Sequence, residues 1–219
     1  MIRLHHAPQA RSFRTLWLLE EMGLDFDVEV KDFFSKTMRS AEYLALSPAG
    51  RVPALEIDGR VLFESGAITE YLVETRPEIG LGRLPAHAER PEFLEWLHFA
   101  ETIGQHLAAL TQQHIVLRED WMRSPTVMRL EAKRLEKVLE VVERVVSQRD
   151  YLLESGFSAV DTNIGYSVMI ARHFVPVGLL PGVDAYFDRL AARPAFQRAL
   201  ARDGGAVIYP QDFYEAPDV

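Results

Sequence analysis

The chain has 219 residues, of which 48% are hydrophobic and 26% charged, a composition that is typical of a folded protein and argues against extended disorder. Its 24 lysines and arginines against 32 aspartates and glutamates give a formal net charge of −8, which disfavours partners such as nucleic acid or an anionic membrane. The chain contains no cysteine, which excludes disulfides, cysteine-ligated zinc and a cysteine nucleophile. It also contains no apolar run near the roughly 20 residues of a membrane span. We therefore expect a cytoplasmic protein.

The N-terminal region predicts a strand, a helix and a second strand. Residues 2–6 are typical of a short strand, and residues 11–22 form an apolar helical segment that Gly23 ends. Residues 26–30 alternate apolar and acidic side chains, as a strand with one buried face does. Because the two strands are joined through a helix, the order favours a parallel pair.

A hairpin and a further helix follow. Residues 54–57 and 60–63 are apolar runs on either side of Asp58-Gly59, a strong signal for a two-residue hairpin loop. A helix opens at Glu64-Ser65 and runs to about residue 74, before Pro77. Residues 39–46 predict one more, poorly defined helix. The first 77 residues therefore predict an α/β domain with a parallel pair, an antiparallel hairpin and three helices.

The remainder of the chain predicts helices alone. Residues 78–90 are rich in proline, glycine and charge, as a linker is. Beyond them, apolar residues recur at three- and four-residue spacing in two long stretches, and residues 158–161 resemble a capping box. Residues 182–192 and 194–201 predict two further helices. We therefore divide the chain into an N-terminal domain at 1–77, a linker at 78–90 and an all-α domain at 91–219.

One stretch of the first domain suggests a binding site for a small peptide. The residue before Pro53 is held extended, so Val52 can present its N–H and C=O groups to an extended ligand lying alongside. The helix that starts at Ser65 exposes N–H groups and the positive end of its dipole, which suits a carboxylate. Glu64 adds an acceptor for an ammonium group. Glutathione, with a peptide middle and an amino-acid head, satisfies all three features.

The motifs in these segments resemble the soluble glutathione transferases. The resemblance rests on Ser-Pro-Ala-Gly-Arg-Val-Pro-Ala-Leu at 47–55, Leu-Phe-Glu-Ser-Gly-Ala-Ile-Thr-Glu-Tyr-Leu at 62–72, the first helix at 11–21, which resembles that of bacterial and fungal members, and Phe-Ser-Ala-Val-Asp at 157–161. It covers residues 2–200 or so. It implies a thioredoxin-like N-terminal domain followed by an all-α domain, a homodimer, and glutathione as co-substrate without a metal.

The resemblance also implies roles for residues of the site. The Val52–Pro53 bond should be cis, the Val52 backbone should pair with the cysteinyl unit, and Glu64 and Ser65 should hold the γ-glutamyl head. For the glycyl carboxylate, the expected residue is Arg51, with two weaker candidates, Lys36 and Arg39. Some relatives reach the site from the first helix of the second domain, where this chain carries Gln105.

The sequence departs from the family at the catalytic hydroxyl. Serine-type members carry a hydroxyl just after the first strand, where this chain has Ala7 or Ala10, and no tyrosine or cysteine lies nearby. The remaining candidates for stabilising a glutathione thiolate are Arg11 with the N–H groups of the first helix, and the hydroxyl of Ser12. Of these we rank Arg11 and the helix end above Ser12.

Three functions remain open from the sequence. The main one is a transferase that activates glutathione as a thiolate for attack on small apolar electrophiles. A second is a non-catalytic glutathione-binding or scaffold module, which the alanines favour and the intact Val52-Pro53 and Glu64-Ser65 elements oppose. A third is a glutathione-dependent peroxidase or disulfide reductase, which needs the same thiolate but a different acceptor.

Overall fold

The computed structural model describes residues 1–217, which divide into two compact units. The first unit holds residues 1–90 and 192–208, and the second holds residues 91–191 and the tail from Tyr209. The sequence-based division places residues 192–208 in the all-α domain. In the structure they belong to the first unit, because the last helix of the chain packs on the first.

A four-stranded sheet forms the centre of the first unit. The strands β1 (Arg3–His6), β2 (Asp27–Val30), β3 (Ala54–Ile57) and β4 (Arg60–Phe63) lie in the order β2-β1-β3-β4. The β1–β2 pair is parallel and the other two pairs are antiparallel, as the sequence predicts for the first pair and for the hairpin. Asp58 and Gly59 both have positive φ, at 52° and 75°, the conformation that a two-residue hairpin turn requires.

Four helices complete this unit: α1 (Ser12–Glu21), α2 (Ala41–Leu46), α3 (Ser65–Thr75) and, from the end of the chain, α8 (Pro194–Asp203). The ring of Phe196 packs edge-on against Trp17, with centroids 4.9 Å apart, and also contacts Phe13. Arg193 pairs with Glu21, and Arg198 and Arg202 both pair with Glu20. Apolar packing and three ion pairs thus attach α8 to α1.

The predicted linker is packed against α3. A short 3₁₀ turn at Pro77–Ile79 follows α3, and Arg83 is 5% exposed and pairs with Glu89. Arg90 forms ion pairs with Glu70 and Glu74 of α3. The proline and glycine content that suggests a linker therefore produces tight turns here, which basic side chains hold in place.

The second unit contains the helices α4 (Arg90–Thr111, entered from the first unit), α5 (Pro125–Val146), α6 (Ala159–Ala171) and α7 (Pro181–Ala191). All but one of the α6 residues are buried, so this helix is the core of the unit. The aromatic tail packs on the same unit, since the Tyr209 hydroxyl lies 2.7 Å from that of Thr111 and the Tyr214 N–H donates to the His173 carbonyl. None of the helices among residues 1–217 is both long enough and apolar enough to cross a membrane.

Candidate active site

The loop before β3 is fixed by hydrogen bonds to a single carbonyl. The Arg51 carbonyl oxygen accepts from the Tyr43 hydroxyl at 2.9 Å and from the Ser47 hydroxyl at 2.8 Å. Burial, aided by the charge of Glu29, raises the pKa of Tyr43 to about 12, so its hydroxyl keeps the donated proton at neutral pH.

The Val52–Pro53 bond is cis, which confirms the expectation from the sequence. The β1–β3 ladder starts at the pair His5–Ala54, so Val52 lies outside it.

The strand-to-helix junction at Glu64 and Ser65 has an unusual backbone. Glu64 has φ 70° and ψ 113°, a conformation that costs a residue with a side chain of order 1–3 kcal/mol. Ser65 then begins α3 with its side chain almost buried, whereas Glu64 is exposed. The Ser65 hydroxyl accepts a hydrogen bond of 3.1 Å from the guanidinium of Arg14, a side chain of α1 that is 1% exposed. A hydroxyl, a helix N-terminus and a buried cation therefore meet at one point.

The loop between β1 and α1 carries no side-chain hydroxyl before the helix. Ala7 is fully buried and Ala10 nearly so. The first hydroxyl belongs to Ser12, which is also fully buried and begins α1. Its Oγ lies 2.8 Å from Nδ1 of His6 and accepts from the Ala7 N–H at 3.1 Å. The Ser12 hydroxyl is therefore engaged within the protein. Arg11, half-buried, takes the N-cap position of α1.

This loop rests on the end of α8. Asp203 is 2% exposed, and its carboxylate accepts from the Gln9 N–H at 3.1 and 3.2 Å. Its Oδ1 also lies 3.2 Å from Nε2 of His6. Gln9 has φ 58°, and its side-chain oxygen accepts from the Ile208 N–H at 2.8 Å. Residues from both ends of the chain thus fix the segment that leads into α1.

Known proteins match the sequence over most of its length. Residues 1–74 match the family model described as the glutathione S-transferase N-terminal domain. Glutathione S-transferase 3 of Zea mays is 31% identical over 194 residues, covering 86% of this chain and 87% of the relative. The chain belongs to the glutathione S-transferase family. The identity and the coverage of this match show that the chain is a glutathione-dependent transferase.

Solved structures agree with this assignment. A glutathione transferase of Methylococcus capsulatus is 28% identical, with a TM-score of 0.80, and the match covers 93% of this chain and 99% of that one. A sphingomonad glutathione S-transferase complexed with glutathione is 25% identical, with a TM-score of 0.79 and coverage of 93% and 100%. The fold class predicted from the sequence, a thioredoxin-like domain followed by an all-α domain, is confirmed.

The structure places the remaining predicted site residues of the transferase on exposed surfaces. Arg51 is exposed beside Val52, and Lys36 and Arg39 are exposed at the two ends of a 3₁₀ segment at Thr37–Arg39. Gln105 is exposed on α4, in the second unit. Roles for these four in holding glutathione stay predictions. Among residues 1–217, no three histidine, aspartate or glutamate side chains are grouped so as to hold a metal ion.

Two buried residues beside the candidate site are not predicted from the sequence. Arg14 lies in the first turn of α1, where the neighbouring residues are apolar or small. A charged residue within such a buried segment is the signal that could have identified it. Asp203 lies almost 200 positions from the loop that it contacts, and no local pattern connects the two. His6, at the end of β1, is fully buried and bridges Ser12 to Asp203.

Proposed function

We propose that this transferase binds glutathione with its γ-glutamyl head at Glu64 and Ser65 and its cysteinyl backbone along Val52. The observation that carries the proposal is the Ser65 hydroxyl at the start of α3 with the buried Arg14 guanidinium 3.1 Å behind it. A helix N-terminus and a cation favour the same ligand group, a carboxylate. The exposed Glu64 carboxylate supplies a partner for the ammonium of the same head group. Arg51, Lys36, Arg39 and Gln105 are the candidates for the rest of the peptide.

We further propose that the start of α1 stabilises the glutathione sulfur as a thiolate. A free thiol has a pKa near 8.5 and is mostly protonated at neutral pH, so a transferase must lower that value. The start of α1 is the positive end of its helix dipole, and Arg11 adds a full positive charge at this end. Ser12 is the weaker candidate, because its hydroxyl is engaged with His6 and Ala7. The thiolate then attacks a small apolar electrophile and forms a thioether, while the electrophile's leaving group departs.

Titration of the bound thiol tests this proposal. The thiolate absorbance of bound glutathione is followed against pH in the wild type, Arg11→Ala, Ser12→Ala and Arg198→Ala, together with turnover of an aryl halide. We expect the wild-type pKa to lie well below 8.5 and to rise most in Arg11→Ala, by about one unit or more. Arg198→Ala is the control, since it removes an equal charge from an exposed side chain of α8. A thiol pKa near 8.5 in the wild type contradicts the proposal and favours a binding module.

We also propose that the transferase works as a cytoplasmic homodimer, as the resemblance implies. Large apolar side chains left exposed on α5, at Val127, Leu130 and Val141, support a second protein surface there. Sedimentation at micromolar concentration tests the assembly. A mass near 24.9 kDa, that of one chain, contradicts the dimer.

A further inference from the structure

A continuous chain of buried polar groups runs from the start of α1 to the end of α8. Ser12, His6 and Asp203 are 0%, 0% and 2% exposed. Ser12 Oγ lies 2.8 Å from His6 Nδ1, and His6 Nε2 lies 3.2 Å from Asp203 Oδ1 and 3.3 Å from the Asp203 carbonyl oxygen. Ser12 begins α1, His6 ends β1 and Asp203 ends α8, so the three side chains connect three separate elements.

The distances favour one direction for these hydrogen bonds. Ser12 Oγ accepts from the Ala7 N–H, so the hydroxyl proton is free to point to one of two acceptors. His6 Nδ1 at 2.8 Å is much closer than the Ala7 carbonyl at 3.4 Å. With Nδ1 accepting, the ring proton lies on Nε2 and is donated to Asp203. Both nitrogens of the His6 ring thus have a partner within the protein.

The same aspartate holds the strained residue of the loop. Its carboxylate accepts from the N–H of Gln9, whose φ of 58° is unfavourable for a residue with a side chain. Gly204, which ends α8, approaches Pro8 so closely that an added Cβ would lie 3.2 Å from the proline Cγ. A strained residue persists where its surroundings over-determine it. Here the end of α8 determines the path of residues 8–10 into α1.

The order serine, histidine, aspartate is that of a hydrolase triad, but these residues cannot act as one. The serine of a hydrolase must expose its Oγ to a carbonyl carbon. Ser12 is fully buried, and its Oγ already accepts from the Ala7 N–H. These three side chains therefore hold the backbone of the loop in place and do not attack a substrate.

We propose that Asp203 and His6 are positioning residues for thiolate formation, an inference that rests on the proposed function. Neither touches glutathione in this assignment. By holding Gln9 and Ser12, they fix the position of the N-terminus of α1, with its positive dipole end, and of Arg11. Misplacement of a catalytic group by about 1 Å can reduce a rate on the order of a hundredfold, so a partial loosening has a measurable effect.

The main test compares Asp203→Asn with Glu20→Gln. The asparagine keeps the size of the side chain but loses the charge and one acceptor. Glu20→Gln weakens two ion pairs that join the same two helices, and Glu20 makes none of the loop contacts described above. In Asp203→Asn we expect the pKa of bound glutathione thiol to rise by about one unit and kcat/KM at pH 6.5 to fall about tenfold. The KM for glutathione should change less than about twofold, and Glu20→Gln should match the wild type in all three values.

A double-mutant cycle and hydrogen exchange complete the test. Ser12→Ala and Asp203→Asn alter His6 from opposite sides, so their effects on the thiol pKa should be less than additive, whereas independent sites add. The Gln9 amide should exchange faster in Asp203→Asn. Circular dichroism checks folding, and if Asp203→Asn does not fold, His6→Asn, which breaks the same polar chain but keeps Ser12 and Arg11, must raise the thiol pKa.

The outcomes separate the two proposals. A lowered wild-type thiol pKa that neither Asp203→Asn nor Ser12→Ala changes overturns the inference and leaves the proposed function standing. An equal rise in Glu20→Gln also overturns it, because general loosening of α8 then explains the effect. A thiol pKa near 8.5 in the wild type overturns the proposed function and the inference together.

Discussion

The guanidinium of Arg14 donates a hydrogen bond of 3.1 Å to the hydroxyl of Ser65, across 51 positions of the sequence. Because Ser65 Oγ accepts this bond, its own proton is directed towards another group. The buried charge of Arg14 and the N-terminus of α3 have the same sign, so both attract an anion to this point. The pair explains why a serine begins this helix with an almost buried side chain.

The first prediction concerns the hydroxyl of this pair. We expect Ser65→Ala to weaken glutathione binding by about 1–3 kcal/mol, the usual cost of losing a hydrogen bond to a charged group. Calorimetry on the wild type and the variant measures the difference. Ser124→Ala is the control, since Ser124 caps α5 in the second unit by accepting from the Val127 N–H. Equal affinities in wild type and Ser65→Ala would remove Ser65 from the site.

The second prediction concerns the charge behind the hydroxyl. We expect Arg14→Met, which keeps a long apolar side chain but removes the cation, to raise the KM for glutathione about tenfold or more. The effect should shrink for a glutathione analogue that lacks the γ-glutamyl α-carboxylate, because the cation then has no anion to attract. Arg198→Met removes a charge of the same kind from the exposed surface of α8 and should leave KM unchanged. A uniform loss with both ligands would point to disrupted packing instead.

The third prediction uses the backbone of Glu64, whose φ is 70°. Both Glu64→Gly and Glu64→Ala remove the carboxylate, so we expect equal losses in glutathione affinity. Only glycine adopts positive φ without a steric penalty, so Glu64→Gly should be the more stable variant, by about 1 kcal/mol. Urea unfolding of the two variants measures this difference. A more stable Glu64→Ala would show that the junction is not strained.

The sequence predicts local features well where a residue's neighbours determine its conformation. The Asp58-Gly59 hairpin, the start of α3 and the cis bond before Pro53 all depend on a few adjacent residues, and all are present. The capping box at Ser158 and Asp161 belongs to the same class, and it is also present.

Contacts between distant segments are beyond such reasoning. The position of α8 depends on Phe196 meeting Trp17 and on arginines meeting Glu20 and Glu21, pairs that no local pattern specifies. The same is true of Asp203 and the loop at Gln9, 194 positions away. The sequence therefore assigns α8 to the all-α domain and does not predict the contacts of Asp203 with the loop before α1.

The last prediction concerns Asp161, which is fully buried in the second unit. Burial raises its pKa from 3.8 to about 6, although its carboxylate accepts hydrogen bonds from the Leu152 and Ser158 N–H groups and from the Tyr186 and Ser158 hydroxyls. Between pH 3.8 and 6 the folded protein thus binds more protons at this site than the unfolded chain does. By linkage, this group's contribution to stability falls as pH rises through that window.

The pKa of Asp161 shifts by roughly two units on folding. This shift changes the free energy of unfolding by about 3 kcal/mol over the whole window and by about 2 kcal/mol between pH 4.5 and 7.5. Asp161→Asn cannot titrate, so its deficit relative to the wild type should be larger at pH 4.5 than at pH 7.5 by that amount. Urea unfolding at several pH values measures the deficit. Asp150→Asn, which removes the same charge from an exposed residue paired with Arg189, is the control for the loss of a surface carboxylate. An Asp161→Asn deficit that grows with pH would mean that the hydrogen bonds outweigh burial and lower the pKa of Asp161 instead.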